Sequence, residues 1–232
     1  MDGLVDAVSA AMREAGTVRF GIVTVVDGHE IVRASGAARM SRAGRPYAAR
    51  MSVSVAGEEA AEPHVVTVVE DSLYLRMPRA YAPAGRPWLK ITGKDRLMAD
   101  RLRSVFRRVK AASDATSGLA VLRCGSGLRA TGGVAVADVA TTRYSASVDI
   151  AAAAGSAVAP VVDQARELSR LGVTSLDYTL WVDAAGLPRK IRTRARTSAG
   201  EVVTDGTYRA WGAAVHVTAP PRARVTTLED MS

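Results

Sequence analysis

The side chains that could carry out acid, base, nucleophilic or metal chemistry are few, and they are scattered along the chain. The three histidines, His29, His64 and His216, fall in a predicted turn, a loop and a terminal strand, which is not the grouped spacing of a metal site. The single cysteine, Cys124, has no evident base beside it and excludes an internal disulfide. We therefore expect neither a metal nor any other cofactor.

The carboxylates do not form an obvious acid and base pair either. Most stand at predicted turns, where Asp and Glu are common for conformational reasons: Asp27, Glu70, Asp71 and Asp183. Three fall within predicted strands but on the polar face: Asp149, Asp177 and Asp205. Two of these could meet across a sheet, but no catalytic residue is assigned from this pattern.

The sequence gives little support for binding of nucleotide phosphates or nucleic acids. The glycines at 125–127 and 132–133 lack the spacing of a nucleotide-binding fingerprint. A predicted amphipathic helix over 94–110 carries many arginines, which could contact phosphates or anionic lipid but more commonly form a solvated face. No aromatic residue interleaves with these arginines to stack bases. We expect no nucleic-acid partner, although the net charge of +8 would suit an acidic one.

The elements that would position a site are mostly strands. From Leu176 to Val182, and again from Ile191 to Thr197, apolar and polar residues alternate with a period of two, and Asp183 to Gly186 supplies a turn between them. The same one-sided pattern recurs at Thr17 to Asp27 and at Tyr47 to Val55, which predicts a sheet that buries one face only. With 232 residues, we expect a single domain over 1–232.

Helices and irregular segments complete the prediction. Helical spacing appears in four places: residues 4–15, closed by Gly16, then 94–110, 114–123 and the segment that starts at Pro160. Residues 124–133 are predicted to be a glycine-rich connector and residues 151–159 an alanine-rich loop. Val215 to Val217 is predicted as a last strand, with Pro220 and Pro221 ending the ordered domain.

The N-terminal residues indicate the cellular compartment in which the protein is expected. The first helix begins at once, with no basic segment, apolar core, cleavage site or lipidated cysteine before it, and no transmembrane segment follows. If Met1 is the natural start, the protein is expected to be cytoplasmic. If an export signal was removed, a lipoprotein of the cell envelope is expected instead.

The order of elements and several short segments resemble one known family. The segments are Gly-Thr-Val-Arg-Phe (16–20), Ala-Ser-Gly-Ala-Ala-Arg-Met (34–40), Leu-Tyr-Leu-Arg (73–76), Pro-Trp-Leu-Lys-Ile (87–91), Thr-Thr-Arg-Tyr (141–144), Leu-Trp-Val-Asp-Ala-Ala-Gly-Leu-Pro-Arg-Lys (180–190) and Ala-Pro-Pro (219–221). Together they are similar to the actinobacterial LppX/LprG-type lipoproteins, which share the fold of the lipoprotein carrier LolA. Arg143 stands where that family's pattern has histidine, and Ala137-Asp138 replaces an acidic residue followed by glycine.

The resemblance implies an α+β fold: a strongly curved antiparallel sheet, an unclosed β-barrel, whose concave face is covered by helices and encloses an apolar cavity for acyl chains. We expect the cavity wall to come from inward-facing strand residues and the covering helix: Phe20, Ile22, Met51, Val53, Leu75, Met77, Trp88, Met98, Leu102, Phe106, Tyr144, Val148, Tyr178 and Leu180. Tyr74, Tyr81, Trp88 and Trp181 are candidates for its rim. The same residue types also build a filled core, so each position has a purely structural alternative.

Two functions follow from such a cavity, and the sequence leaves both open. The first is a non-catalytic carrier that binds a lipid or lipoprotein by apolar burial. The second is a cytoplasmic, cofactor-free cyclase or isomerase of natural-product biosynthesis that holds a polyketide-like substrate in a reactive conformation, since positioning needs no catalytic triad. Both predict a hydrophobic small-molecule ligand, and neither fixes the oligomeric state.

Overall fold

The computed structural model describes residues 1–41, 47–57, 63–92, 115–157, 159–198 and 200–231. Its strands are β1 (Thr17–Val26), β2 (His29–Arg39), β3 (Ala48–Val55), β4 (His64–Val69), β5 (Ser72–Arg76), β6 (Trp88–Thr92), β7 (Gly125–Val136), β8 (Val139–Asp149), β9 (Ser175–Asp183), β10 (Pro188–Thr197), β11 (Gly200–Arg209) and β12 (Val225–Thr227). Its α-helices are α1 (Asp2–Ala15), α2 (Ala115–Ala120), α3 (Ile150–Ala154) and α4 (Ala159–Arg170). Short 3-10 helices span Val121–Cys124, Arg222–Arg224 and Glu229–Met231.

All of these strands lie in one 12-stranded sheet, in the order β12-β6-β5-β4-β3-β2-β1-β11-β10-β9-β8-β7. Neighbouring strands are antiparallel, apart from the parallel pair of β12 and β6. The order begins at β12 and ends at β7, so the sheet is unclosed. The predicted α+β fold, with a large antiparallel sheet and a few helices, is confirmed.

The sheet has two chemically different faces, because successive residues of a strand point to opposite sides. We call the inner face the one that carries Met51, Val66 and Leu180, whose side chains belong to one buried cluster together with Val5 and Met12 of α1. We call the opposite side the outer face. The helices therefore pack against the inner face, as predicted.

Helix α1 forms for the reasons that its sequence indicates. Its apolar residues recur at helical spacing, and Val5, Val8 and Met12 are each at most 2% exposed. Gly16 ends the helix with a left-handed φ of 76° and donates its N–H to the carbonyl of Met12. Only glycine adopts this conformation at little cost, so the predicted C-terminal cap is confirmed.

The turn between β1 and β2 also follows the prediction. Asp27 and Gly28 have φ values of 46° and 83°, the left-handed pair that a tight two-residue hairpin requires. The Asp27 carboxylate accepts a hydrogen bond of 2.7 Å from the backbone N–H of Glu201. This bond joins the β1–β2 turn to the start of β11, a strand far away in the sequence.

Two segments that were predicted to be irregular are regular. Residues 125–133 belong to β7 rather than to a connector, and the register shifts between Ser126 and Arg129 and between Thr131 and Val134 accommodate its glycines as irregularities of the strand. Ile150–Ala154 forms α3 rather than a loop, because the Asp149 carboxylate caps it by accepting a 2.9 Å hydrogen bond from the N–H of Ala152.

The prediction for the C-terminus is wrong in two respects. Residues 215–217 are not a strand, although Val217 is only 3% exposed. Order also continues past Pro220 and Pro221, where β12 joins the far edge of the sheet beside β6. The second error arises because the three-residue strand β12 forms through a partner far away in the chain, which leaves no local pattern. None of the described helices is long and apolar enough to cross a bilayer.

Candidate functional site

The candidate site is built on the inner face, which is uncharged along its length. In the described strands β1–β6 and β8–β11, no Asp, Glu, Lys or Arg has an inner-face cross-strand register; Arg189, at the register shift of β10, has no register partner and forms an ion pair with Asp183. His64, at the start of β4, shares this face with Val53. Such a surface favours apolar contact and offers no charged group for acid, base or ion chemistry.

The burial of inner-face side chains decreases along one row of cross-strand partners, which runs from β8 and β9 to β2 and β3. On β9 and β8 the row is fully covered, with Tyr178 2% and Ala146 8% exposed. Across β10, β11 and β1 it continues through Thr193, Thr204 and Thr24, which are all half-buried. It then reaches β2 and β3 at two half-buried valines, Val32 and Val55.

We call the less covered part of the inner face the open strip. It consists of half-buried apolar residues and threonines: Ile22, Thr24, Val32, Val53, Val55, Leu75, Thr193, Val202 and Thr204. The open strip continues directly from the buried cluster, because Ile22, Val53 and Leu75 pack against it. A flexible apolar molecule on this strip would therefore extend the existing core rather than form a separate hydrophobic contact.

The fully buried part of the row, on β8 and β9, contains a polar group that has no hydrogen-bond partner among the described residues. The hydroxyl of Tyr178 is buried and has no hydrogen-bond partner among the described residues. Burial, followed by the proximity of Tyr208, raises the pKa of the Tyr178 phenol well above its ordinary value. The hydroxyl is therefore neutral at physiological pH and able to donate a hydrogen bond.

A glycine lies beside the Tyr178 hydroxyl. A Cβ atom on Gly118, in α2, would lie 4.0 Å from the Tyr178 hydroxyl oxygen. A methyl group added at this position would therefore be in ordinary van der Waals contact with the hydroxyl. The unpaired hydroxyl and the missing side chain occur at the same place.

Tyr208 places a second phenol over the inner face. Its ring stacks against Trp211 at a centroid distance of 6.2 Å, and the Trp211 indole N–H donates to the carbonyl of Pro188 at 2.9 Å. A Cβ atom on Gly206 would lie only 3.0 Å from the Tyr208 hydroxyl oxygen. The absence of a side chain at Gly206 therefore allows the phenol to lie along the sheet.

Most of the predicted wall residues meet on the inner face. Five belong to the buried cluster, and four are half-buried against it: Phe20, Met51, Val148, Tyr178 and Leu180 in the first group, and Ile22, Val53, Leu75 and Tyr144 in the second. Met77 is buried but lies outside this cluster. Met98, Leu102 and Phe106 lie outside the described residues. That these side chains line a ligand cavity stays a prediction.

Three of the proposed rim residues lie on the outer face. Strand alternation places Trp88 there because Leu89 and Ile91 occupy the inner positions of β6. Tyr74 shares the outer face with Lys90, and Trp181 shares it with Arg143. Tyr81 lies in the loop between β5 and β6 and is 74% exposed. Trp88 therefore does not belong to the inner-face wall, in contrast to the prediction.

Tyr208, the inner-face threonines and Gly206 are not among the residues predicted to form the wall. The alternation of β11 could have indicated that Tyr208 faces inward, since Val202, Thr204 and Gly206 precede it at intervals of two. The strand pairing that brings Tyr208 beside Phe20 leaves no such local signal.

Two surface pockets are lined by described residues, and both lie away from the open strip. A shallow pocket of about 300 Å³ lies between β2, β3 and β4 and includes the outer-face residues Ser35, Arg50 and Ser52. Another, of about 450 Å³, lies at the loop between β5 and β6 and includes Arg79 and Arg224. Within the described ranges, no group of three or more His, Cys, Asp or Glu side chains is placed to hold a metal ion.

Comparison with solved structures identifies the fold. The crystal structure of the lipoprotein LppX from Mycobacterium tuberculosis is similar with a TM-score of 0.58 and 12% sequence identity, over 94% of this chain and 99% of LppX. LprF from Mycobacterium bovis is similar with a TM-score of 0.53 and 14% identity, over 95% of this chain and 98% of LprF. No protein-family model and no curated protein sequence matches the chain. The fold resemblance expected from the sequence is therefore confirmed.

Proposed function

We propose that the protein binds a large hydrophobic small molecule, a lipid or a polyketide-like compound, on the inner face of its sheet. The observation that carries the proposal is the contrast within this face, where an uncharged surface passes from a buried cluster into the half-buried open strip. The likeness in fold to the lipoproteins LppX and LprF supports it.

Binding would be driven by removing apolar surface from water. Each buried methylene group contributes about 0.8 kcal/mol, so a long acyl or polyketide chain can bind tightly without any charged contact. The wall residues of the proposal are those that the structure brings together: Phe20, Ile22, Met51, Val53, Leu75, Tyr144, Val148, Tyr178 and Leu180. Met98, Leu102 and Phe106 remain proposed contacts from the predicted covering helix.

Tyr178 supplies the polar contact of the proposed site. A buried hydroxyl without a partner costs about 1 to 3 kcal/mol, and a carbonyl oxygen of the ligand would remove that cost by accepting its hydrogen bond. The ligand class expected from this contact is therefore a long apolar chain that carries an ester, acid or ketone group.

A cofactor-free cyclase or isomerase is the second candidate, and Tyr178 is the observation that favours it. A neutral phenol that is shielded from water can polarise a carbonyl of a bound polyketide-like substrate by hydrogen bonding. The inner-face wall would hold that substrate in a reactive conformation. The carrier would act in the cell envelope and the cyclase in the cytoplasm, so fractionation of host cells separates the two.

Native mass spectrometry of protein purified from its own host tests the proposal directly. An adduct with the mass of an acyl lipid supports the carrier, whereas a polycyclic metabolite supports the cyclase, which should then also convert an added linear precursor. Absence of any adduct, together with failure of the stripped protein to bind the fluorescent fatty acid cis-parinaric acid, would contradict both.

A pair of adjacent substitutions in β3 locates the binding surface. Val53 is half-buried on the inner face, whereas the next residue, Ser54, is exposed on the outer face. Val53→Glu should weaken cis-parinaric acid binding at least tenfold by placing a charge in the open strip, and Ser54→Glu should leave it unchanged. Equal effects of the two variants would show that the ligand does not bind on the inner face.

A further inference from the structure

The outer face concentrates the positive charge of the protein. In the described strands, thirteen Lys and Arg residues have outer-face registers: Arg19, Arg33, Arg39, Arg50, Arg76, Lys90, Arg129, Arg143, Lys190, Arg192, Arg194, Arg196 and Arg209. Six carboxylates share that face: Glu30, Asp149, Asp177, Asp183, Glu201 and Asp205. The excess of seven positive charges, with Arg189 at the register shift of β10 left out of the count, is close to the net charge of +8.

Most of those carboxylates are already engaged. Asp205 accepts two hydrogen bonds from Arg192, and Asp183 pairs with Arg189. Three more are also occupied: Glu201 by Arg194, Glu30 by Arg33, and Asp149 by the capping of α3. They are therefore poorly placed to neutralise the remaining cations.

Five cations on β7, β8, β10, β11 and β1 form no ion pair with any described residue: Arg19, Arg129, Arg143, Arg196 and Arg209. All five are exposed. Arg19 and Arg209 are direct cross-strand partners, an arrangement of like charges that destabilises a sheet unless an anion lies nearby.

An aromatic residue lies within this group of cations. Trp181 is half-buried on the outer face between its cross-strand partners Arg143 and Lys190. The Lys190 ammonium lies 5.5 Å from the centroid of the Trp181 ring. Arginine, lysine and an amphipathic aromatic on one broad surface are the combination that contacts the headgroup region of a bilayer.

We propose that the outer face of β7–β11 and β1 docks the protein onto an anionic phospholipid membrane. Phosphate headgroups would supply counter-charges to the five cations that have no ion-pair partner among the described residues. The cations extend over a broad sheet face rather than along a groove, and Trp181 is half-buried instead of presented for base stacking, so a bilayer fits this surface better than a nucleic acid does.

Vesicle sedimentation with the full chain tests the proposal. The protein should bind vesicles of equal parts phosphatidylcholine and phosphatidylglycerol and should not bind vesicles of phosphatidylcholine alone. Binding should also fall steeply as salt is raised, because salt screens exposed charges beyond about 8 Å at physiological ionic strength. Absence of binding to the anionic vesicles, or equal binding to both, would overturn the proposal.

Two double variants with the same change in net charge identify the surface. Arg143→Glu with Arg209→Glu should lower the vesicle partition coefficient by roughly 25-fold or more, since each basic residue near an anionic membrane contributes about a fivefold factor. Arg13→Glu with Arg166→Glu, at exposed positions of α1 and α4, should change it far less. Equal losses in the two double variants would indicate attraction by net charge alone and overturn the assignment of this face.

Two further measurements complete the test. Tighter binding to a DNA oligonucleotide than to the anionic vesicles, at the same salt concentration, would overturn the membrane assignment in favour of nucleic acid. Binding of cis-parinaric acid should be the same in both double variants, because neither changes the inner face. The docking proposal and the proposed ligand function can therefore fail independently.

Discussion

Tyr178 is the residue at which burial and hydrogen bonding conflict, since a fully buried side chain ends in a hydroxyl without a described partner. The hydrophobic effect favours the buried ring, but the hydroxyl loses its hydrogen bonds to water and regains none. A protein that only needed a filled core could have phenylalanine there. The tyrosine is consistent with selection for a ligand rather than for stability.

Tyr178→Phe should therefore raise the free energy of unfolding, by about 1 kcal/mol, while lowering affinity for a carbonyl-bearing ligand several-fold. Urea denaturation measures the first effect and titration with cis-parinaric acid the second. Tyr81→Phe, at a position 74% exposed, is the control and should change neither. A clear loss of stability in Tyr178→Phe would mean that the hydroxyl has a partner in the folded protein.

On the outer face, the Asp205 carboxylate is stabilised by an ion pair, unlike the unpaired Tyr178 hydroxyl. Two hydrogen bonds from Arg192, at 2.8 Å and 2.6 Å, hold the pKa of the Asp205 carboxyl below its ordinary value, and Lys190 lies 3.3 Å away. Because the folded-state pKa is lowered, the stabilisation is fully present above the unfolded-state pKa of 3.8. It is lost as the pH falls through the lowered value.

Asp205→Asn should destabilise the protein at neutral pH by about 1 kcal/mol or less, since much of this ion pair is solvated. The difference from the wild type should shrink below about pH 4 and vanish in stronger acid. Denaturation curves over this pH range measure it. A difference between Asp205→Asn and the wild type that stays constant over this pH range would contradict the explanation.

At the scale of elements, the approach of β2 to β3 depends on a glycine. A Cβ atom on Gly36 would lie 2.2 Å from the carbonyl oxygen of Arg50 and 2.9 Å from the Cα of Met51. Both atoms belong to the backbone of the neighbouring strand, so neither can move without separating the two strands. Gly36 therefore permits a close contact in the part of the sheet that carries the open strip.

Gly36→Ala should lower the free energy of unfolding by about 3 kcal/mol, because the sheet must open locally to admit the methyl group. Gly132→Ala in β7 is the matched control, since no atom lies within 4 Å of its added Cβ, and its effect should stay within about 0.5 kcal/mol. Thermal or urea denaturation compares them. Equal stability of the two variants would contradict the close approach of β2 and β3.

At the scale of the whole molecule, the two faces have separate proposed roles. The inner face is uncharged in the described strands β1–β6 and β8–β11, and the outer face carries a large excess of cations. One sheet can therefore combine apolar ligand binding with electrostatic docking, because each strand supplies residues to both faces in alternation.

Ligand binding should raise the stability of the whole chain. A ligand at a hundred times its dissociation constant adds about 2.7 kcal/mol to the folded state. For a chain of 232 residues this corresponds to a rise in Tm of roughly 5 to 10 °C. Differential scanning fluorimetry with cis-parinaric acid measures it, and Val53→Glu should reduce the rise by about half or more, because a tenfold weaker affinity leaves about 1.4 kcal/mol of stabilisation at the same ligand concentration. An unchanged Tm in the wild type would contradict binding by the folded state.

Much of the fold could be predicted because its signals are local. The alternation from Leu176 to Val182, the Asp27-Gly28 turn and the Gly16 cap each depend on residues adjacent in the chain, and all three are confirmed. The predictions for β7 and α3 failed where glycines and alanines carry little pattern. The face assigned to a wall residue was reliable where strict alternation surrounded it, as for Met51 and Leu180.

The sequence by itself determined which residues of each strand share a face, since side chains alternate with a period of two whatever the partner strand is. It also determined the order of most elements and, through the resemblance, the class of fold. Only the tertiary structure decided that β1 lies beside β11, that β12 closes onto β6, and that the Tyr178 hydroxyl is left without a described partner. These facts depend on contacts between residues far apart in the chain, whose geometry no local pattern encodes.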